Sequence, residues 1–230
     1  MLSRRSALGG MACLACAGLF AAPRAHANTP VPHTTLTPDQ AIERLLDGNR
    51  RFVADDPSPG ADGRSRRASL TAGQAPFATI ICCADSRAAP ETLVHAGLGE
   101  IFVSRVAGNT IPPADLATVA YGVEALGTPA IMVLGHEACG AVTAAVDVVT
   151  RGATVPPIMQ PMLGPIIFAV NAARNQPGNL IDNTVRENAK AGARSLIRQP
   201  DVAEKISAGK LKVVAARYDL HEGKIELLDL

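Results

Sequence analysis

Four short apolar runs rich in β-branched residues, separated by stretches with helical spacing, restrict this chain more than any other feature. The runs are 77–82 (FATIIC), 100–106 (EIFVSRV), 130–135 (AIMVLG) and 210–220 (KLKVVAARYDL). Helical patterns fall at about 113–126, 138–151, 161–175 and 180–198. Strands that are apolar on both faces need cover on both, and helices between successive strands supply it. The expected fold is therefore α/β, with a mainly parallel central β-sheet flanked by helices. A last run, 224–230 (KIELLDL), is expected to pair back on the fourth strand across the His221-Glu222-Gly223 turn. Near the start, Thr37-Pro38 reads as an N-cap followed by proline at the first helical position, with Gly48 as an interruption of the helix it opens. Residues 56–65 (DPSPGADGRS) read as a loop.

The first 27 residues read as a cleaved export signal. A basic start leads into an apolar stretch from Ala7 to Ala22, and Ala25-His26-Ala27 supplies a small-x-small cleavage site. That stretch has 16 residues, short of the ~20 that cross a bilayer. Arg4-Arg5 after Ser3 is similar to a twin-arginine signal, with the general secretory route as the alternative. Cys13 and Cys16 lack the setting of a lipid anchor and leave with the signal, so the mature form is expected to carry no membrane anchor. Residues 28–230 then form one catalytic domain in the periplasm or outside the cell. Removing the signal takes three arginines and no acid, which turns a net charge of +1 into a slight negative excess. With no basic stripe, 3% aromatic residues and no tryptophan, nucleic-acid binding is not expected.

Three cysteines remain after cleavage, Cys82, Cys83 and Cys139. An odd count with two neighbours in sequence is no disulfide framework, and metal ligation explains the set better. Ligands of open α/β sheets collect beyond the carboxyl ends of the strands. The stretch CADSR (83–87), residues Arg105 to Asn109 and His136 all fall at such ends. His136 and Cys139, three apart across the turn into a helix, can share one metal, and Cys83 lies 53 positions earlier at the end of another strand. Two cysteines and one histidine leave a fourth position open, which is the arrangement of a catalytic rather than a structural zinc. Strand alternation sends Cys82 and Cys83 to opposite faces. Cys83 is the expected ligand and Cys82 a core thiol. Asp85 can serve as a displaceable fourth ligand or as an acceptor for metal-bound water. Arg87, two residues on, can hold its carboxylate away from the metal in a bidentate pair.

These elements resemble those of the β-class carbonic anhydrases. CADSR (83–87) is similar to their C-x-D-x-R element and GHEACG (135–140) to their G-H-x-x-C-G element. LLDGNRRF (45–52), GQAP (73–76), EIFVSRVAGN (100–109) and GKLKVVAARYDLHEGKI (209–225) extend the resemblance over nearly all of the mature chain. It implies zinc on Cys83, His136 and Cys139, with Asp85 and Arg87 as the catalytic dyad and Gln74 and Gly140 lining the substrate pocket. It also implies a homodimer or homotetramer with the active-site cleft between subunits. The implied reaction is reversible hydration of carbon dioxide to bicarbonate and a proton, with zinc generating hydroxide from water. Hydrolysis of carbon disulfide or carbonyl sulfide at the same zinc, and zinc binding without turnover, are the alternatives. The chain departs from the family at Val106, where asparagine is frequent, and at Ile80, where members with a regulatory bicarbonate site carry tryptophan. His95 and His221 are the candidates for a proton shuttle, each read first as an ordinary surface or packing residue.

Overall fold

The structure, a computed structural model, describes residues 32–57 and 63–230. The export signal expected at 1–27 lies outside them. Five strands form one sheet: β1 (Ala78–Cys82), β2 (Ile101–Arg105), β3 (Ala130–His136), β4 (Lys212–Tyr218) and β5 (Ile225–Leu228). Their order is β2-β1-β3-β4-β5. The first four strands run parallel, and β5 returns antiparallel on β4, as the turn at 221–223 led one to expect. Every residue of β1 and of β3 is buried, the signature of strands covered on both faces.

Among the described residues, eight α-helices accompany this sheet: α1 (Pro38–Val53), α2 (Arg64–Ser69), α3 (Pro90–Leu93), α4 (Pro113–Glu124), α5 (Gly140–Arg151), α6 (Gln160–Ala173), α7 (Leu180–Ile197) and α8 (Pro200–Ser207). Alternation along the strands sorts the core. Ile80, Cys82, Met132 and Leu134 pack with Ala41 and Leu45 of α1 and Leu93 of α3. Ile81, Ile131 and Val133 face Val119 and Val123 of α4 and Ala189, Ala193 and Leu196 of α7. A third cluster joins Cys83 and Cys139 to Val142 of α5, Leu163, Ile166 and Val170 of α6, and Val185 of α7. The two sulfurs therefore emerge from the sheet into an apolar shell.

The long helices fall where their periodicity put them. Helices α2, α3 and α8 did not stand out, because four to eight residues are too few to display a period. α8 starts on Pro200, which ends one helix and opens the next at its own first position. α1 opens as expected, with Thr37 and Gln40 forming a reciprocal capping box.

Gly48 does not interrupt α1. A β-carbon there would lie 1.8 Å from the carbonyl oxygen of Val94, so the glycine allows the helix to touch the turn after α3. Its neighbour Asn49, buried, fastens that contact. The side-chain amide donates to the carbonyls of Leu93 (3.0 Å) and Gly223 (2.9 Å), and its oxygen accepts from the amide of Ile225 (2.8 Å). One side chain thus joins α1, α3 and the β4–β5 turn. Asn49→Ala strands three backbone groups, and the expected loss of unfolding free energy is about 3 kcal/mol. Urea titration at unchanged m-value reads it, and a loss below about 0.5 kcal/mol contradicts the clamp.

Candidate metal centre

β1 ends at Cys82, and the next residue leaves the sheet. Cys82 turns into the apolar cluster beneath α1, fully buried, where burial pushes its thiol up to about 12. Cys83 turns the opposite way. β3 ends on His136, one residue later than its sequence pattern predicted. Ala138 then takes a left-handed conformation (φ 51°), and Cys139 becomes the N-cap of α5. This sharp turn is what folds a three-residue spacing into one cluster.

The donor atoms of Cys83, His136 and Cys139 all lie within 4.8 Å of one another. The sulfurs are 4.0 Å apart and the described cysteines are free, so no disulfide joins them. A tetrahedral zinc with bonds of ~2.3 Å to sulfur separates two thiolates by about 3.8 Å, close to the spacing found. The imidazole of His136, 1% exposed, donates from Nδ1 to the carbonyl oxygen of Glu137 at 2.8 Å. That bond fixes the tautomer and leaves the lone pair on Nε2. Nε2 is buried without a hydrogen-bond partner, a condition that a metal ion among the three donors relieves.

The sulfurs are prepared for charge. Cys83 is drawn down, first by its contact with Cys139, against burial, and with help from His136 and from the amides of Gly108 and Asp85. Those amides point at its sulfur from 3.2 and 3.4 Å. Cys139 is pushed up, chiefly by the same Cys83 contact and then by burial, although the amides of Ala141 and Val142 at the start of α5 favour its thiolate. Burial lowers His136, but the Cys83 sulfur outweighs it and raises the imidazole.

Asp85 stands beside this cluster, its Oδ2 3.8 Å from Nε2 of His136. Arg87 holds it at three points: the backbone amide and Nε reach Oδ1 at 2.9 and 3.0 Å, and Nη2 reaches Oδ2 at 2.8 Å. These bonds keep the carboxyl well below the usual carboxylate range. Arg105, at the end of β2, falls at the rim where its place in the sequence put it. It donates to the carbonyls of Cys83 (3.1 Å) and Asp85 (2.6 Å) and so fixes the backbone of the 83–85 turn. Gly140 is exposed on the first turn of α5, with open space where a side chain would begin. Gln74 is not brought to the cluster. It is exposed and precedes the amino end of β1, about 16 Å of strand from Cys83. His95 lines a cavity with Phe77 and Glu100, also at the amino end of the sheet. His221 is 86% exposed, and its Nε2 lies 3.7 Å from the carboxylate of Glu137.

A family model described as carbonic anhydrase matches residues 78–225, which contain the whole cluster. The carbonic anhydrase of Mycolicibacterium smegmatis is 35% identical over 191 residues, covering 83% of this chain and 93% of that protein. Carbonic anhydrase 2 of Mycobacterium tuberculosis is 35% identical over 200 residues, covering 86% and 96%. Among solved structures, the β-carbonic anhydrase CcaA superposes with a TM-score of 0.64 at 26% identity, over 82% of this chain and 95% of that one. By sequence, by fold and by the two-sulfur, one-imidazole cluster at its strand ends, this chain belongs to the β-class carbonic anhydrases, zinc enzymes that interconvert carbon dioxide and bicarbonate.

Proposed function

We propose that Cys83, His136 and Cys139 are the zinc ligands of this carbonic anhydrase, and that Asp85, held by Arg87, directs the reacting water. The observation that carries the assignment is the unpartnered, buried Nε2 of His136 facing two sulfurs within 4.8 Å. The chemistry that zinc supplies when bound is Lewis acidity, which makes water a usable acid near neutral pH. The chain's own residues set the terms of that chemistry. Two thiolates cancel the charge of a divalent cation, and the amides of Asp85 and Gly108 aimed at Cys83 spread its negative charge. His136 contributes as a neutral ligand because Glu137 holds the proton on the far nitrogen.

Asp85 acts as an acceptor. Its carboxyl stays ionised, so it takes a hydrogen bond from water and leaves the oxygen lone pair free for carbon dioxide. Arg87 keeps it there: moving Asp85 onto the metal as a fourth ligand breaks three hydrogen bonds at once. The apolar residues around the sulfurs, Val142, Leu163 and Ile166, keep bulk water from the inner side of the site. Gly140 leaves the outer side open to the substrate.

The functional assembly is a homodimer or homotetramer. The distance from Gln74 to the cluster within one chain supports it, because a pocket containing both Gln74 and Gly140 takes a second copy. The chain is exported to the periplasm by the twin-arginine route, on the strength of Arg4-Arg5 and the apolar stretch that follows. No helix among the described residues is long and apolar enough to cross a membrane.

Asp85→Ala is expected to keep its zinc and lose about 10²-fold in carbon dioxide hydration, measured by stopped flow. An unchanged rate contradicts the role of the carboxylate. Cys139→Ser is expected to weaken zinc binding well beyond the ~10–100-fold typical of an outer partner; a full metal complement by elemental analysis removes Cys139 from the ligand set. A reporter fused to residues 1–27 is expected to reach the periplasm only in cells with an intact twin-arginine pathway. Export in cells lacking that pathway assigns the general secretory route instead.

A further inference from the structure

The two sulfurs sit in different backbone settings. Cys139 is the N-cap residue of α5, at the amino end of a helix. Cys83 lies past the end of a strand, where no helix begins. Its own segment offers one amide, that of Asp85 at 3.4 Å. The shorter contact, 3.2 Å, comes from Gly108, in the loop beyond the neighbouring strand β2.

That loop is held in an unusual shape. Gly108 has φ 70°, Asn109 has φ 44°, and the amide of Asn109 closes a turn onto the carbonyl of Val106 at 2.8 Å. A β-carbon on Gly108 would meet Ile166 at 2.6 Å and Ala141 at 3.1 Å, so the loop also fits tightly against α5 and α6. One polar side chain from α7 ties the loop down. Asn188, 6% exposed, lies among the buried positions of that helix with Val185 and Ala189, and its Nδ2 donates to the carbonyl of Gly108 at 2.8 Å. An asparagine at a core position of a helix is costly unless its amide is used. Here it is used on the residue whose own amide points at Cys83.

Given the zinc ligands proposed above, we infer that Asn188 is a positioning residue for the metal centre: by fixing Gly108 it holds the loop's amide on the Cys83 sulfur. It touches neither the metal nor the substrate. Its effect passes through one carbonyl, one left-handed residue and one N–H···S bond. Such outer partners typically change metal affinity 10–100-fold.

The test uses the full mature chain loaded with cobalt or with cadmium-113. In the unmutated protein, a sulfur-to-cobalt charge-transfer band is expected, together with a scalar coupling between cadmium and the Gly108 amide. Absence of the band discredits the ligand set itself. A band without the coupling overturns the present inference while leaving the ligand set intact. In Asn188→Leu the coupling is expected to fall, the band to move to longer wavelength as the sulfur loses a donor, and zinc affinity to drop about 10-fold or more. Thr184→Val is the control. Thr184 is equally buried on α7, but its hydroxyl donates within the helix to Leu180, so it should lower stability without moving the band. Asn188→Ser, milder in volume and polarity, replaces the leucine variant if that one does not fold. A folded Asn188 variant with band, coupling and affinity unchanged overturns the proposal, as does an equal band shift in Thr184→Val.

Discussion

Two sulfurs 4.0 Å apart, buried in an apolar shell beside an imidazole, cannot both ionise without a cation between them. Like charges at that distance repel, and burial removes the water that would screen them. The protein counters part of this cost with the amides of Asp85 and Gly108, both aimed at the Cys83 sulfur. A divalent ion among the three donors would meet the remainder. The cluster's geometry and its unpaired imidazole nitrogen both fit this single electrostatic constraint.

The parallel sheet brings that constraint to one place. Three neighbouring strands, β2, β1 and β3, each deliver a different component at their carboxyl ends. β1 leads to Cys83 and the Asp85–Arg87 pair, β2 to Arg105 and the Gly108 amide, and β3 to His136 and, one tight turn later, Cys139. Because neighbouring parallel strands are locked in register, a side chain on one cannot drift from its counterpart on the next. Arg105 shows how far this goes: its two bonds to the carbonyls of Cys83 and Asp85 stitch the end of β2 to the end of β1 where backbone pairing stops. Asp85 is then held by Arg87 from two residues away, so Asp85 and Cys83 share one short turn.

Most of the frame was legible before any coordinates. Unbroken apolar runs between helical patterns gave a buried parallel sheet, and alternation correctly separated Cys82 from Cys83. The residues that gather at the cluster were legible because their types are rare together: two cysteines, a histidine, and an aspartate with an arginine two places on. What escaped was carried by the backbone or by contacts across the chain. Gly48 looked like a break because sequence cannot display Val94 arriving 1.8 Å from its missing side chain. The Gly108 amide has no side chain to advertise it. Asn188 left one faint signal, a polar residue at an apolar register of α7, which has meaning only once the loop beyond β2 is seen to lie under it. Gln74, taken from a motif alone, falls beyond the opposite end of its strand from the cluster, because a linear match carries no information about where in space a residue lies.

X-ray absorption at the zinc edge of the purified protein tests the central claim most directly. Two sulfur scatterers at about 2.3 Å, with nitrogen and oxygen at about 2.0–2.1 Å, are the shell predicted for two thiolates, one imidazole and one exchangeable position. A shell of nitrogen and oxygen alone, or one of four sulfurs, contradicts it.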